Sequence, residues 1–240
     1  MADYFKFNGQ NTEKFGMHVA KRPNQNAPKR RQTKVQIPGR NGVLHLQDDG
    51  YENITVTYDA WFRGDLTTPE QAHAVKGWLL GAAGYCRLED KYDPGHFRLA
   101  AFDGPMDIAD VLGRYGKCKI KFDCDPRAFR KDGEFPIALE NGQSIYNPTD
   151  FACKPLIHVI GTEPGTMTVA GVTVEVKAFG QPVIVLDCEN ENAYAWGDVA
   201  TSYNASIYAP EFPVLLPGEN RVHFDGGIIG LQIIPRWWDL

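Results

Sequence analysis

Ile37-Pro38-Gly39-Arg40-Asn41-Gly42 decides how this chain is read. Proline cannot donate to a sheet ladder, and glycine and Asn-Gly supply the positive φ angles of a tight reversal. A β ribbon therefore stops and turns back here, with Arg40 and Asn41 held at its tip. Upstream lies a polar connection from Lys21 to Lys34 that carries Arg22, Lys29, Arg30 and Arg31 among prolines, asparagines and glutamines. It has no core-forming face. It reads as a solvated loop, as an arm laid on a neighbouring subunit, or as a contact to nucleic-acid phosphates, the last set against the acidic whole.

Downstream, Tyr51 to Phe62 alternates, with Ile54, Val56, Tyr58, Ala60 and Phe62 on one side and Asn53, Thr55, Thr57 and Asp59 on the other. One long antiparallel strand with a single buried face is expected. Thr68-Pro69-Glu70-Gln71 follows as a helix start, with Thr68 as N-cap and Pro69 at the first helical position. Ala72, Val75, Trp78 and Leu79 then fall at helical spacing until Gly81 and Gly84 stop the element. Short strands are expected at Phe5 to Phe7, Phe15 to Val19, Tyr85 to Leu88, Phe97 to Phe102, Met106 to Leu112 and Lys117 to Cys124. The turns between the last four are Asp93-Pro94-Gly95, Asp103-Gly104-Pro105 and Gly113 to Gly116.

From Asp125 to Gly142 the alternation weakens into charge and turn residues, which places a domain boundary within 125–148 and divides the chain into 1–128 and 129–240. Beyond it come strands at Leu156 to Ile160, Thr166 to Val169, Val172 to Val176, Val183 to Cys188, Arg221 to Phe224 and Ile228 to Ile234. Many short strands with no helix argue for a β-sandwich, and the whole chain reads as mainly β with one flanking helix.

Composition removes several function classes. With 43% apolar and 23% charged residues the chain can bury a core, which excludes overall disorder. A net charge of −5 and a pI near 5.7 argue against a dominant basic surface for sequence-specific nucleic-acid binding. Acid and lysine occupy the first residues where a secretory leader needs apolar ones, and no apolar run approaches the roughly 20 residues that span a bilayer. A soluble chain made in a cytosol is expected. Five cysteines, at 86, 118, 124, 153 and 188, are an odd number without a Cys-x-x-Cys pair. That disfavours a disulfide framework and a zinc site, and Cys118 and Cys124 share the parity of Ile120 and Phe122, the apolar side of a strand.

No serine-hydrolase, zincin, Walker or dinucleotide motif occurs, so neither catalytic residue, cofactor nor metal ligand is assigned. His158 shares parity with Leu156 and Ile160 and reads as a core or interface histidine, while Asp187, Glu189 and Glu191 lack the spacing of a calcium loop and read as a solvated turn. Paired carboxylates for glycoside hydrolysis stay open, because their separation is a matter of three dimensions. Tyr194 and Trp196, in the polar segment from Glu189 to Glu211, are candidates for stacking on a sugar, for contacting a partner protein or for plain packing.

Ordered landmarks then add a resemblance. Phe5-Lys6-Phe7-Asn8-Gly9, Phe15-Gly16, Ile37-Pro38-Gly39-Arg40-Asn41-Gly42, Tyr146-Asn147-Pro148-Thr149, Pro155-Leu156-Ile157 with Gly161, Phe212-Pro213, Leu216-Pro217-Gly218-Glu219-Asn220 and Pro235-Arg236 stand in sequence across nearly the whole chain. In that order they resemble the distal tail (Dit) family of long-tailed siphophages. The resemblance implies a tail-tube-like N-terminal β domain that closes into a hexameric ring. It also implies a C-terminal sandwich similar to galectins and carbohydrate-binding modules. Such a protein is a non-enzymatic virion component at the tail tip, a baseplate hub. Its partners would be further copies of itself, the tail-tube protein, the tail-associated (Tal) protein and a receptor-binding protein. Arg30, Arg31, Arg40 and Asn41 are then the expected subunit-interface residues. The alternative is a carbohydrate-binding protein that recognises host cell-wall polysaccharide through Tyr194 and Trp196.

Overall fold

The computed structural model describes residues 3–63, 68–106, 108–110 and 115–240. The chain divides into two compact units, one built from residues up to Ala128 together with Leu240, the other from Phe129–Asp239.

The N-terminal unit contains strands β1 (Phe5–Phe7), β2 (Gln10–Asn11), β3 (Met17–Val19), β4 (Arg30–Val35), β5 (Leu44–Tyr51) and β6 (Ile54–Arg63), helix α1 (Thr68–Leu80), and strands β7 (Cys86–Asp90), β8 (His96–Phe102), β9 (Ile108–Asp110) and β10 (Tyr115–Cys124). Its main sheet runs β2-β1-β7-β8-β10-β6-β3, with β9 on the margin of β10. The backbone of this sheet is the β6–β10 ladder, in which ten residue pairs keep register from Tyr115↔Arg63 to Cys124↔Ile54. Alternation explains why it holds. Ile54, Val56, Tyr58, Ala60 and Phe62 from β6 and Cys118, Ile120, Phe122 and Cys124 from β10 all face one buried side. Helix α1 covers that side with Val75, Trp78 and Leu79, and Trp78 donates its indole N–H to the Phe7 carbonyl at 3.0 Å while its ring stacks on Phe15.

Two expectations need adjusting in this unit. The single long strand predicted from Tyr51 is two strands, because the Glu52 N–H turns aside to the Lys29 carbonyl at 2.8 Å and interrupts the ladder. The first helical turn buries Gln71 rather than Ala72, and its amide lies beside Gly16, where a Cβ would stand 3.0 Å from both the Gln71 amide nitrogen and the Arg63 carbonyl. Gly16 also holds φ at +62°, so the Phe15-Gly16 landmark has a steric origin. Of the strand predicted over Met106 to Leu112, Ile108–Asp110 is observed; 107 and 111–114 lie outside the described residues, as does the Thr68 capping side chain.

Strand β11 (Ala128–Arg130) straddles the division, and the C-terminal unit contains β12 (Ile137–Leu139), β13 (Ser144–Asn147), β14 (Leu156–Gly161), β15 (Gly165–Val169), β16 (Val172–Val176), β17 (Val183–Asp187), β18 (Asn192–Ala195), β19 (Asp198–Ser202), β20 (Ile207–Tyr208), β21 (Gly218–Phe224), β22 (Ile228–Ile234) and β23 (Trp238–Asp239). A six-stranded sheet, β12-β22-β14-β17-β18-β19, and a five-stranded sheet, β13-β21-β15-β16-β20, share one apolar core. Ile157, Val159, Ile184, Leu186, Leu231 and Ile233 fill it from the first sheet, and Ile145, Met167, Val169, Val174, Val222 and Phe224 from the second. The molecule is thus mainly β, with one long helix among the described residues. β18 and β19 lie within the polar segment from Glu189 to Glu211, where no strand is expected from the sequence.

Candidate assembly surface

The Lys21–Lys34 connection is not a featureless loop. Its last part is strand β4, which pairs with β5 into a two-stranded ribbon separate from the main sheet. Every residue of β4 is exposed. Val35↔Leu44 and Thr33↔Leu46 are cross-strand partners, and their side chains share one face. Lys34↔His45 occupies the opposite face, where the His45 ring nitrogen Nδ1 lies 2.7 Å from the Gln32 amide oxygen. The ribbon is therefore amphipathic with no core beneath it. Leu46 is 51% exposed and Val43 46%, and Val35, Ile37 and Leu44 are exposed beside them.

The turn at its end is the one read from the sequence. Gly39 and Gly42 adopt φ of +79° and +82°, and the Arg40 N–H closes the loop onto the Ile37 carbonyl at 3.2 Å. Arg40 and Asn41 are exposed, and neither side chain has a hydrogen bond or ion pair among the described residues. Arg30 and Arg31 differ from them. Arg30 donates to the Tyr51 hydroxyl at 3.0 Å and lies over the same ring at 5.1 Å, so it braces the ribbon base. Arg31 rides along Gly50, where a Cβ would stand 3.3 Å from its side chain, at the point where the ladder register shifts. Lys29 pairs with Glu52 at 2.7 Å, and the Asn26 amide donates to the Thr55 carbonyl, anchoring the approach to the ribbon on β6.

The aromatic candidates of the C-terminal unit are not brought into one cluster. Tyr194 lies within β18, opposite Val185, half-buried; burial and the nearby Asp187 carboxylate push its hydroxyl pKa up. Trp196 instead occupies, with Gly197, the two-residue turn between β18 and β19 and is 62% exposed. Trp237 is buried, and Trp238 stacks on Phe151 and donates its indole N–H to the Ala152 carbonyl at 3.1 Å. His158 shares its half-exposed face with Leu156 and Ile160, while Ile157 and Val159 take the core.

Several of the ordered landmarks are structural locks. The buried Asn147 amide donates to the Phe151 and Leu215 carbonyls, while its oxygen accepts from the Thr149 N–H at 2.9 Å. The buried Asn220 does the same for its own turn, accepting from the Leu216 N–H and donating to the Leu216 and Gly218 carbonyls. Arg236, at φ +57°, donates to both carboxylate oxygens of Asp187, at 2.7 and 3.4 Å. Burial opposes charge on Asp187, but the hydrogen bonds from Arg236 and Asn190 and the guanidinium charge outweigh it and hold the carboxyl below its ordinary range. With that carboxylate occupied, the Asp187, Glu189 and Glu191 group is not a cation cage, and among the described residues no group of three or more His, Cys, Asp or Glu could hold a metal ion. The thiols of Cys118, Cys124 and Cys188 are pushed up to about 12 by burial, which makes them packing groups and not nucleophiles.

No protein-family model and no curated protein matches this chain. Its structure does align with a solved one over 100% of both chains, at a TM-score of 0.75 and 12% sequence identity. That structure is described as the SPP1 Dit (gp 19.1) protein, a paradigm of hub adsorption apparatus in Gram-positive infecting phages. The chain shares its fold with that protein. At this identity the likeness speaks for architecture across both units; the ribbon's surface chemistry is this chain's own. No helix is long and apolar enough to cross a membrane among the described residues.

Proposed function

We propose that this chain is a structural, non-catalytic component of a phage tail tip, assembling head to tail into a hexameric ring that forms the baseplate hub. In this reading the ring joins the tail tube to the tail-associated protein and to a receptor-binding protein. Residues 1–128 form the ring and 129–240 project as a docking domain. The observation that carries it is the amphipathic β4–β5 ribbon, supported by the full-length likeness to the SPP1 hub protein. A two-stranded hairpin is marginal alone in water, and one whose apolar face is open gains most from a second surface laid over it. A heterologous interface whose rotation closes supplies such a surface once per subunit.

Arg40 and Asn41, free at the tip, reach the neighbour; Arg40 offers a two-pronged contact to a carboxylate. Arg30 acts by bracing the ribbon. Light scattering on a sizing column with negative-stain images tests this directly. We expect a six-subunit ring for the unaltered chain, and for Arg40→Ala a ring that dissociates at roughly tenfold higher protein concentration while the protomer keeps its stability. A folded monomer at every concentration, with and without a tail-tube partner, would overturn the proposal.

The exposed Trp196 favours a second reading, in which the C-terminal unit binds cell-wall polysaccharide. That reading requires saturable sugar binding that Trp196→Ala abolishes in a chain forming no ring.

A further inference from the structure

The outer face of the N-terminal sheet carries a feature that neither the ribbon nor the core uses. The alternation that sends Cys118, Ile120 and Phe122 inward sends Lys117, Lys119 and Lys121 outward, all three exposed. Side chains two apart on a strand are about 6.6–6.8 Å from one another, so three ammonium groups stand in a row at an even repeat. The register sets Lys117 beside Trp61, Lys119 beside Asp59 and Lys121 beside Thr57. Lys119 and Asp59 make a loose 3.8 Å contact in which both stay exposed, and Lys117 and Lys121 have no acidic partner among the described residues. At one end of the row the half-buried Trp61 makes tilted contacts with His18 and with the half-buried Tyr115, at ring-centroid distances of 4.6 and 5.9 Å. The lysines, Asp59, Trp61 and Tyr115 line an open groove of about 870 Å³ bounded by the end of β3 and by Pro105.

This row runs against the net charge of −5 of the whole chain. Solvated sheet faces usually intersperse both signs; here three lysines repeat along one strand against the single carboxylate of Asp59 in the groove lining, beside paired aromatic rings. Charge complementarity selects a polyanion, and the rings select among polyanions one that presents flat faces to stack. An acidic peptide or a bare polyphosphate satisfies the lysines and leaves Trp61 and Tyr115 unused. Duplex DNA offers its phosphates and keeps its base faces within the stack.

We propose that this groove binds single-stranded nucleic acid without sequence preference, the lysine row following the phosphates while Trp61 and Tyr115 receive bases. A lysine is a point charge without a fixed hydrogen-bond fork, and every base has a stacking face, so the site reads chain geometry and not sequence. The groove is complete on one protomer, so the proposal stands or falls independently of the ring.

Fluorescence anisotropy of the full chain with a labelled twelve-nucleotide oligo-dT tests it, with polyglutamate and inorganic polyphosphate of matched charge as competitors. The expected result is saturable binding whose log K falls against log salt with a slope of about −2, since each neutralised phosphate of a single strand contributes about 0.7. Lys117→Gln/Lys119→Gln/Lys121→Gln, at exposed sites that leave the far-UV spectrum unchanged, should flatten that slope nearly to zero and weaken binding more than tenfold. Tyr115→Ala should weaken oligo-dT binding by about five- to a hundredfold, the range for one stacked base, without steepening the salt slope. Absence of binding at low salt, or binding unaffected by the triple lysine variant, overturns the proposal. Competition by polyglutamate as strong as by unlabelled oligo-dT also overturns it, in favour of an acidic protein partner.

Discussion

Two antiparallel ladders in the N-terminal unit follow the same hydrogen-bond rules and meet opposite fates. In β6–β10 the alternating apolar face is closed by α1, and Phe122 alone touches the rings of Phe5, Phe7, Tyr58 and Phe102. In β4–β5 the alternating apolar face stays open, with Leu44 and Leu46 41% and 51% exposed. A ladder fixes direction and register, but only burial of a face turns it into stability. The first ladder should therefore govern whether the protomer folds, and the second whether protomers associate.

The largest effect is expected from emptying the first ladder. Phe122→Ala removes a fully buried ring and should cost about 3–5 kcal/mol of unfolding free energy, read from the midpoint shift in urea at constant m. If its stability were unchanged, the contrast between the ladders would fail at its stronger end.

A smaller loss, about 1–3 kcal/mol, is expected for Arg236→Ala, which leaves the buried Asp187 carboxylate without its charged donor. Here pH sharpens the comparison. Asp187 has a folded-state pKa below its unfolded one, so its contribution is fully present above the unfolded value near 4 and is lost as pH falls through the folded value. Thermal melts of the unaltered chain should fall across that acid window. The Arg236→Ala chain should show a shallower fall there, because the pKa depression that drives it has been largely removed.

These contrasts also explain what the sequence could reveal. β6, β10 and α1 were legible because one face of each is buried, and burial is what writes a period into a sequence. β4 reads Arg-Arg-Gln-Thr-Lys-Val and is exposed on both faces, so no period marks it, although the Pro-Gly and Asn-Gly reversal beside it was plain. β19 is a sheet-edge strand exposed throughout and carries no period for the same reason. The boundary between β5 and β6 depends on a single backbone bond from Glu52 to Lys29, a contact across the fold that local patterning does not encode. Asn147 and Asn220 were visible as landmarks, but their roles were not, since each amide finds partners in a turn that exists only once the sandwich has closed. The lysine row on β10 was visible as the polar parity of a strand; its aromatic neighbours came into view only when register placed Trp61 beside Lys117.

The smallest effect on the protomer should come from the ribbon. Leu44→Ser with Leu46→Ser replaces two exposed leucines on one face of β5 and leaves the ladder's backbone bonds in place. Exposed sites away from a core usually change unfolding free energy by no more than about 0.5 kcal/mol, so the denaturation midpoint should barely move. In an assembly that covers this face, the same two side chains lose their remaining water contact, and since each is already about half covered, each contributes about 1 kcal/mol to the interface. The variant should therefore elute as a folded monomer at concentrations where the unaltered chain forms rings, and its hydrogen-exchange pattern should differ only within 30–51. A midpoint that fell with the double substitution would mean that the ribbon's apolar face is closed within the protomer, and the two ladders would then differ in degree and not in kind.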